Sequence, residues 1–190
     1  MNDMKKQEKY RLLGVDPGTN VLGFAVIEIE KKQIKLIDMG VITMGKKDSQ
    51  QMKLKKIFEE LQKIIVKYQP KEMAIEAPFF GKNVQSMLKL GRAQGVAIAA
   101  AITKNVNITE YAPKKIKQSV TGNGNASKEQ VSAMLTSIVN VKMLNQSLDA
   151  TDALAAAVCH FYQFSSLLGG QKKYNDWSSF AKDNSERVKK

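Results

Sequence analysis

The stretch Leu12-Leu13-Gly14-Val15-Asp16-Pro17-Gly18-Thr19-Asn20 decides how this chain folds. Residues 11–15 form a short, largely apolar run, which is typical of a buried β-strand. Pro17 and the three residues after it have the chemistry of a turn, so Asp16 is predicted to stand where the strand ends. An Asp followed by Pro is also a common start of a turn and needs no function there. Acidic residues further along the chain bear on the choice between these two interpretations.

Three more carboxylates occupy comparable positions. Glu76 follows a short apolar run at 73–75, and the Ala-Pro pair after it stops further strand pairing. Asp149 and Asp152 lie three residues apart at the start of an Ala-rich segment, so both project from one helix face in its first turn. Each has a simpler explanation, because a strand-end Glu can pair with a surface lysine and a first-turn Asp can cap a helix. Their number in one short chain favours a shared site.

Length and composition bound the class of protein. The chain has 190 residues, of which 43% are hydrophobic, so one well-buried domain is predicted. No stretch reaches the roughly 18 consecutive apolar residues of a membrane span, and the charged start of the chain lacks the apolar core of a secretory signal. A single cysteine, Cys159, excludes an internal disulfide framework and predicts a cytoplasmic location, where thiols stay reduced.

The charge of the chain indicates its partner. The 30 Lys and Arg residues outnumber the 18 Asp and Glu residues and give a net charge of +12, which points to a polyanion. Between Lys82 and Lys128 there are eight basic residues and a single acidic residue, Glu110. This segment therefore predicts a surface that contacts phosphates, with a solvated lysine-rich face as the alternative.

The order of predicted elements describes an α/β chain. Three antiparallel strands come first, followed by a helix, a short strand, a long helix rich in Gly and Ala, a fifth strand and three more helices. The predicted strands cover 11–15, 21–29, 34–41, 73–75 and 107–111, and the predicted helices cover 54–68, 83–104, 114–120, a segment from 127 and 149–164. The small residues of the long helix predict either central burial or a subunit interface.

Several groups near these elements could serve a site. Carboxylates without a Cys or His cluster suit hard cations, so Mg²⁺ or Mn²⁺ is predicted rather than Zn²⁺. The loop Phe79-Phe80-Gly81-Lys82 places two aromatic rings beside Glu76, either as base-stacking groups or as core plugs. A Gly-rich loop at 121–126 precedes a capping-box helix start, an arrangement that binds anions and to which Lys128 adds charge. His160 is predicted to be a core or surface residue and not a ligand.

Five segments of the chain, taken together and in order, resemble one family. They are GVDPGT at 14–19, AIEAPFFGKN at 74–83, SMLKLGRAQGVA at 86–97, EYAPKKIKQSVTGNGNASKEQV at 110–131 and DATDALAAA at 149–157. Over about 12–164, the chain resembles the RuvC family of Holliday-junction resolvases. The resemblance implies an α/β, ribonuclease H-like fold with a five-stranded mixed sheet flanked by helices.

The same resemblance implies the residues of the site. It assigns metal binding and catalysis to four acids, which are Asp16, Glu76, Asp149 and Asp152. It implies Mg²⁺, with Mn²⁺ able to substitute, and two such ions can activate a water and stabilise the leaving oxygen of a phosphoryl displacement. Phe79 matches an aromatic residue that contacts bases near the junction centre. Three basic residues match positions near the DNA backbone, and these are Lys82, Lys117 and Lys128.

Partners and boundaries also come from the resemblance. The family acts as a homodimer on four-way junction DNA, where each subunit nicks one of two strands of like polarity, and it works with the RuvAB branch-migration complex. The two-fold symmetry of a dimer would match that of the junction. The nuclease domain is predicted over 11–168, with an N-terminal extension at 1–10 and a basic tail at 169–190.

Other functions are weighed against this one. The Asp-Pro-Gly-Thr motif also resembles a phosphate loop of actin-like ATPases, but those close two such lobes around a nucleotide, and this chain has one Asp-x-Gly-Thr. A different ribonuclease H-like nuclease, acting on RNA, is one open alternative. A junction-binding protein without catalysis is the other, and it is disfavoured because crowded acids without a metal would repel one another.

Overall fold

The computed structural model describes residues 9–78, 83–141 and 147–168, with side chains as far as 165. The elements are β1 (Tyr10–Asp16), β2 (Val21–Glu30), β3 (Gln33–Thr43), α1 (Gln50–Tyr68), β4 (Glu72–Glu76), α2 (Val84–Ile102), β5 (Asn107–Tyr111), α3 (Pro113–Thr121), α4 (Lys128–Val139) and α5 (Leu148–Leu168). Every predicted strand and helix is present. None of the helices described here is long and apolar enough to cross a membrane. The predicted tail at 169–190 and most of the predicted N-terminal extension lie outside the described residues.

The strands form a mixed sheet in the order β3-β2-β1-β4-β5, as expected for the ribonuclease H-like fold. The β1–β2 and β2–β3 pairs are antiparallel, whereas β4 pairs in parallel with β1, and β5 with β4. Lys31 and Lys32, with positive φ angles of 49° and 66°, make the tight turn between β2 and β3. Gln33, predicted as part of that turn, is instead the first residue of β3. Because β1, β3, β4 and β5 run in one direction, their C-terminal ends meet at one edge of the sheet, which we call the upper edge.

Side chains alternate along the strands and build two hydrophobic cores. Leu12 packs on the face covered by α3, α4 and α5, which we call the α5 face. Leu13, the next residue of β1, packs on the face covered by α1 and α2, which we call the α1 face. Both leucines are fully buried, as expected for a central strand of a sheet with helices on both sides.

Glycines let α5 lie very close to the sheet. A Cβ atom on Gly14 of β1 would overlap the carbonyl oxygen of Ala153 and lie 2.9 Å from the Cβ of Ala157. A Cβ atom on Gly23 of β2 would overlap the carbonyl oxygen of Asp149. The backbone of α5 therefore rests directly on β1 and β2, and only glycine fits at these two strand positions.

The α1 face is packed with larger side chains. Ile57, Leu61 and Ile65 of α1 are buried, at the spacing of three to four residues that marks an amphipathic helix. Alanines on one side of α2 are buried on the same face. Elsewhere on α2, Val84 is 59% exposed and Leu88 is 50% exposed. Central burial, one of the two predicted roles of the small residues, is therefore confirmed for these alanines, and a subunit interface stays a prediction.

The helix starts confirm two predicted caps and correct a third. The N-cap predicted at Asn83 and the capping box predicted at Ser127 are both present. The final helix begins at Leu148, and the hydroxyl of Ser147 accepts a hydrogen bond of 3.2 Å from the backbone N–H of Ala150. A serine therefore caps α5, so capping does not explain the acids of its first turn.

Candidate active site

Asp16 and Glu76 are the last residues of two neighbouring strands. β1 and β4 run in parallel with Val15 opposite Ile75, so both carboxyl groups stand at the upper edge. Strand alternation places both on the α5 face, because Gly14 lies on that face two residues before Asp16. The sheet by itself therefore brings two of the candidate acids side by side.

The first turn of α5 brings two more acids to the same place. Asp16 pairs with Gly23 across the β1–β2 ladder, and the backbone of Asp149 lies against that glycine. Asp152 comes three residues later, and its charge acts on both Asp16 and Glu76. Tertiary packing thus gathers acids from the first strand, the fourth strand and the last helix.

Burial and mutual repulsion disfavour negative charge in this cluster. The pKa of Asp16 is raised to about 8, first by burial and then by the charges of Glu76, Asp152 and Asp149. The pKa of Glu76 is raised to about 7, again first by burial and then by Asp152. Shifts of this kind mark a group of acids that needs compensating positive charge.

Two lysines provide part of that compensation. Lys128 Nζ lies 2.7 Å from Asp152 Oδ2, and its charge lowers the pKa of the two strand-end acids. Lys117 Nζ donates a hydrogen bond of 2.9 Å to the carbonyl oxygen of Ala126, and its charge lowers the pKa of Glu76. Two of the three lysines that the resemblance places near DNA, Lys117 and Lys128, therefore stand beside the acid cluster.

The loop at 121–126 uses its backbone donors internally. The N–H of Gly124 donates to Gln118 Oε1 at 3.0 Å, and the N–H of Asn125 donates to Asn123 Oδ1 at 3.0 Å. These donors are already bonded, so the prediction of an anion site built on them is wrong. The loop instead joins α3 to α4 and supplies the carbonyl that holds a lysine beside the acids.

The other candidate residues lie apart from the cluster or outside the described residues. His160 is 5% exposed, and its Nδ1 shares a hydrogen bond of 2.9 Å with the hydroxyl of Tyr111. Burial lowers the pKa of His160. Of the two positions predicted for this residue, core or surface, the structure shows the core. Cys159 is also buried. Phe79 and Lys82, two predicted DNA contacts, lie outside the described residues.

The donor chemistry of the cluster fits a hard divalent cation. Carboxylate oxygens are the ligands that such ions prefer, and bound positive charge would relieve the repulsion that raises the pKa of Asp16. Within 9–78, 83–141 and 147–168, no three acidic, histidine or cysteine side chains converge as a closed ligand group. Asp152 is instead paired with Lys128. The carboxylates of the cluster are therefore suitable ligands for a divalent cation, and one of them, Asp152, forms an ion pair with Lys128.

Sequence reasoning missed the residues that set the geometry of the cluster. Gly14 and Gly23 admit the backbone of α5, and Ser147 caps its first turn. The sequence did contain an indication of this role. Glycine inside a strand is unfavourable, so its presence there often marks a place where another backbone approaches closely. The partner of each glycine could not be predicted, since it belongs to the last helix of the chain.

Solved structures define the class of protein to which this fold belongs. The chain is similar to Thermus thermophilus RuvC, with a TM-score of 0.75 and 28% identity, covering 82% of this chain and 96% of that one. The T. thermophilus RuvC in complex with Holliday junction substrate gives a TM-score of 0.77 at 27% identity, covering 84% and 96%. The yeast mitochondrial Holliday junction resolvase shares the fold alone, with a TM-score of 0.62 at 13% identity. The fold is therefore that of the ribonuclease H-like resolvases.

Sequence relatives identify the family within that class. The family model for crossover junction endodeoxyribonuclease RuvC matches residues 12–160. A protein of that name from Cytophaga hutchinsonii is 59% identical, over 94% of this chain and 88% of its own length. Another from Christiangramia forsetii is 54% identical, over 94% and 92%. The chain belongs to the RuvC family of crossover junction endodeoxyribonucleases, which confirms the resemblance of its motifs.

Proposed function

We propose that this protein cuts four-way (Holliday) DNA junctions by hydrolysing phosphodiester bonds, in paired nicks that resolve the junction during homologous recombination and DNA repair. The observation that carries the proposal is the half-buried acid cluster at the upper edge, formed by Asp16, Glu76, Asp149 and Asp152. Membership of the RuvC family supports the reaction. The likeness to T. thermophilus RuvC in complex with Holliday junction substrate supports the substrate.

The four acids are proposed to hold two Mg²⁺ ions, for which Mn²⁺ can substitute. Bound there, such ions would supply Lewis-acid chemistry, by lowering the pKa of a water and neutralising charge at the leaving oxygen of the phosphate. The chain contributes rigid supports, because two of the acids end β-strands and two begin a capped helix. Since the pKa of Asp16 is about 8 and that of Glu76 about 7, we expect cation binding to release protons near neutral pH.

Lys117 and Lys128 are proposed to contact the DNA backbone beside the acids. Their ammonium groups act on the charge of Glu76, so a phosphate entering the cluster would meet cations as well as acids. Changing either lysine to Ala should flatten the salt dependence of log affinity by about one unit. An unaltered slope would place that lysine off the DNA. Phe79 and Lys82 are proposed as further DNA contacts on the family resemblance alone.

A homodimer is proposed as the acting form. Apolar side chains of α2 are exposed, with Val84 at 59%, Leu88 at 50% and Ile102 at 60%, and a second copy of the chain would remove them from water. Two-fold symmetry would then place two acid clusters on two strands of the junction. The RuvAB complex as partner and the cytoplasm as location are proposed on the family resemblance and on the single buried cysteine.

Cleavage of a synthetic junction tests the proposed reaction. Purified protein is incubated with a four-way junction or with linear duplexes of the same sequence, in Mg²⁺, Mn²⁺ or EDTA, and the products are separated on denaturing gels. We expect symmetric nicks in the junction alone, and only with a divalent cation. Junction binding without cutting under any ion or sequence would favour the non-catalytic alternative, and cutting of RNA–DNA hybrids instead would favour another nuclease.

The variant Asp152→Asn tests the acid cluster directly. We expect it to bind the junction at least as tightly as the wild type, because one negative charge is removed, and to cut more slowly by a factor on the order of 10³ or more. Glu59→Gln, an exposed acid on α1, is the matched control and should cut normally. Normal cutting by Asp152→Asn would remove Asp152 from the site.

A further inference from the structure

The segment from the end of β3 into α1 carries lysines that the proposed function does not use. Residues 44–56 contain five lysines and a single acid, Asp48. Lys46 and Lys47 are exposed in the loop, and Lys53 is half-buried in the first turns of α1. We call Lys46, Lys47 and Lys53 the lysine strip.

The lysine strip lies at the upper edge of the sheet, near Asp16. Thr43, the last residue of β3, is opposite Val21 of β2. The backbone N–H of Met44 donates a hydrogen bond of 2.8 Å to the carbonyl oxygen of Asn20. Asn20 in turn ends the loop that begins directly after Asp16. The strip therefore starts where the loop after the first candidate acid ends.

A side-chain contact joins the strip to that loop. Lys53 Nζ donates a hydrogen bond of 2.7 Å to the amide oxygen of Asn20, which holds the ammonium group over the β1–β2 connection. An amide oxygen accepts a proton donor but carries no charge, so the positive charge of Lys53 is not neutralised by this contact. Two further donor positions on the same ammonium group are available to a phosphate.

Neighbouring acids leave most of the strip's charge uncompensated. Among the residues the structure describes, neither Lys46 nor Lys47 forms an ion pair. The carboxylate of Asp48 accepts a hydrogen bond of 2.8 Å from the backbone N–H of Gly45, which turns it into the loop. The first turn of α1 contains no acid, so the positive end of the helix dipole adds to the lysine charges.

The distance from the acids to the strip corresponds to a few nucleotides of DNA. β2 separates β1 from β3, and Asp16 is in register, through Gly23 of β2, with Val41 of β3. Adjacent strands lie about 4.8 Å apart, so Val41 is about 10 Å from Asp16, and the strip, which begins five residues later at Lys46, lies at least that far away. One strand of a duplex advances about 3.4 Å per nucleotide. A phosphate at the acid cluster and a phosphate at the strip would therefore be about three or more nucleotides apart.

We propose that the lysine strip is a second phosphate-binding surface, which holds the backbone of a duplex arm a few nucleotides from the cut. Its loop and helix flank the α1 face, whereas Lys117 and Lys128 belong to helices of the α5 face. The acid cluster thus lies between two groups of cations, and the strand to be cut is held on both sides of the reacting phosphate. This inference rests on the proposed function, because it takes junction DNA as the substrate.

The salt dependence of binding tests the strip. The double variant Lys46→Ala/Lys47→Ala is compared with Lys35→Ala/Lys104→Ala, which removes the same charge from exposed positions at the opposite edge. Affinity for a four-way junction is measured in EDTA over a range of salt concentrations. We expect the strip variant to bind about tenfold more weakly and to lose about two units of slope in log affinity against log salt, while the control keeps the wild-type slope.

Neutral DNA linkages then locate the contact. Methylphosphonates replace the phosphates about three to six nucleotides from the cut, which removes their charge. We expect the wild type to bind this modified DNA as weakly as the strip variant binds unmodified DNA. The strip variant should bind modified and unmodified DNA with the same affinity. Equal losses in the wild type and the strip variant would overturn the proposal, because the two changes would then act independently.

Failure of the strip is distinguishable from failure of the proposed function. A wild type that cuts junctions, together with a strip variant of unchanged affinity and salt slope, overturns the lysine strip alone. A wild type that neither binds nor cuts junctions overturns the proposed function, whatever the strip variant does.

Discussion

On the α5 face of the sheet, Gly14 and Gly23 let the backbone of a helix touch the strands, whereas on the α1 face Ile57, Leu61 and Ile65 hold a helix through large side chains. Large side chains stabilise by the apolar area they bury, and a glycine contact contributes little such area. The two glycine positions therefore contribute closeness rather than buried area. That closeness is what allows the acids of α5 to reach the ends of β1 and β4.

The two faces also differ in how they treat charge. At the upper end of the α5 face, burial and repulsion raise the pKa of Asp16 to about 8. On the α1 face, the buried carboxylate of Glu28 pairs with Lys9 at 2.9 Å and with Arg11 at 3.1 Å. One face holds acids that lysines compensate only in part, and the other holds a carboxylate paired with two cations. Close backbone packing and unfavourable charge therefore coincide, as expected at a functional site.

The largest effect is expected from filling the space under α5. Gly23→Ala places a methyl group on the carbonyl oxygen of Asp149, so the helix must move away from the sheet. We expect the free energy of unfolding to fall by about 4 kcal/mol or more. Junction cutting per folded molecule should fall by more than about 10²-fold, because the acids no longer meet. Urea unfolding and the cleavage assay measure the two losses.

Gly91→Ala on α2 is the matched control for this change. A Cβ atom there meets nothing within 4 Å, and alanine is favoured over glycine inside a helix by about 1 kcal/mol. Its stability should equal or exceed that of the wild type. If Gly23→Ala were as stable and as active as the wild type, the close approach of α5 would not be what builds the site.

A smaller effect, confined to stability, is expected on the α1 face. Leu61→Ala leaves a cavity in a fully buried position and should lower the free energy of unfolding by about 3 kcal/mol. The acids lie on the opposite face, so cutting per folded molecule should stay within about twofold of the wild type. A loss of cutting much larger than the loss of folded protein would show that the two faces are coupled.

A gain in stability is expected when a site acid loses its charge. The folded pKa of Asp16, about 8, lies above its ordinary value of 3.8. The stability associated with this group is therefore fully present below about pH 4 and is lost as the pH rises through about 8. Asp16→Asn carries no charge, so in EDTA we expect it to be more stable than the wild type by about 2 kcal/mol at pH 8 and equally stable at pH 4.

Thermal unfolding at these two pH values measures the gain, and Mg²⁺ provides the control. A cation that binds only the folded wild type should raise the melting temperature of the wild type and have less effect on Asp16→Asn. Cutting by the variant should be lost. A variant that is less stable than the wild type at pH 8 in EDTA would contradict the unfavourable charge assigned to Asp16.

The smallest effect on stability is expected when the pH is lowered, and it differs between the two faces. On the α5 face, burial lowers the pKa of His160 below its ordinary 6.5, so the unfolded chain takes up the proton first and stability falls as the pH drops below about 6.5. On the α1 face, the hydrogen bond from Lys9 is the main cause that lowers the pKa of Glu28 below 4.5. Its contribution is present above about pH 4.5 and is lost as the pH falls further.

Melting temperatures between pH 8 and pH 3.5 separate these two contributions. His160→Gln should flatten the profile below about pH 6.5, and Glu28→Gln should flatten it below about pH 4.5. Each variant serves as the control for the other. Identical profiles for the two variants would show that neither group titrates as described.

Most of the fold could be predicted because its signals are local. The apolar stripe of α1 ends just before Pro70, the pair Ala77-Pro78 stops β4, and Ser127 starts α4 through a capping box. Each of these patterns lies within a few residues of the element that it controls. The third strand was predicted to begin at residue 34, but β3 begins at Gln33. The turn before it is one residue shorter than predicted because Lys31 and Lys32 adopt positive φ angles, which a sequence without glycine rarely indicates.

The candidate site was less predictable, because its geometry depends on distant parts of the chain. The Gly-rich loop at 121–126 looked suited to an anion, but side chains of α3 and of the loop itself occupy its donors. Asp149 looked like a helix cap, but Ser147 fills that role. In both cases the residue types suited the predicted role, but hydrogen bonds made by other side chains already satisfy the groups involved.

The sequence by itself determined the α/β class, the order of the elements and the four acids that stand at strand ends and in a helix turn. Their motifs also pointed to the RuvC family. Only the tertiary structure decided that α5 rests on Gly14 and Gly23, that Lys128 pairs with Asp152, and that burial raises the pKa of Asp16 to about 8. The reason is physical: hydrophobic periodicity and turn chemistry act over a few residues. A pKa, by contrast, depends on burial and on distances between charges that the chain brings together from its two ends.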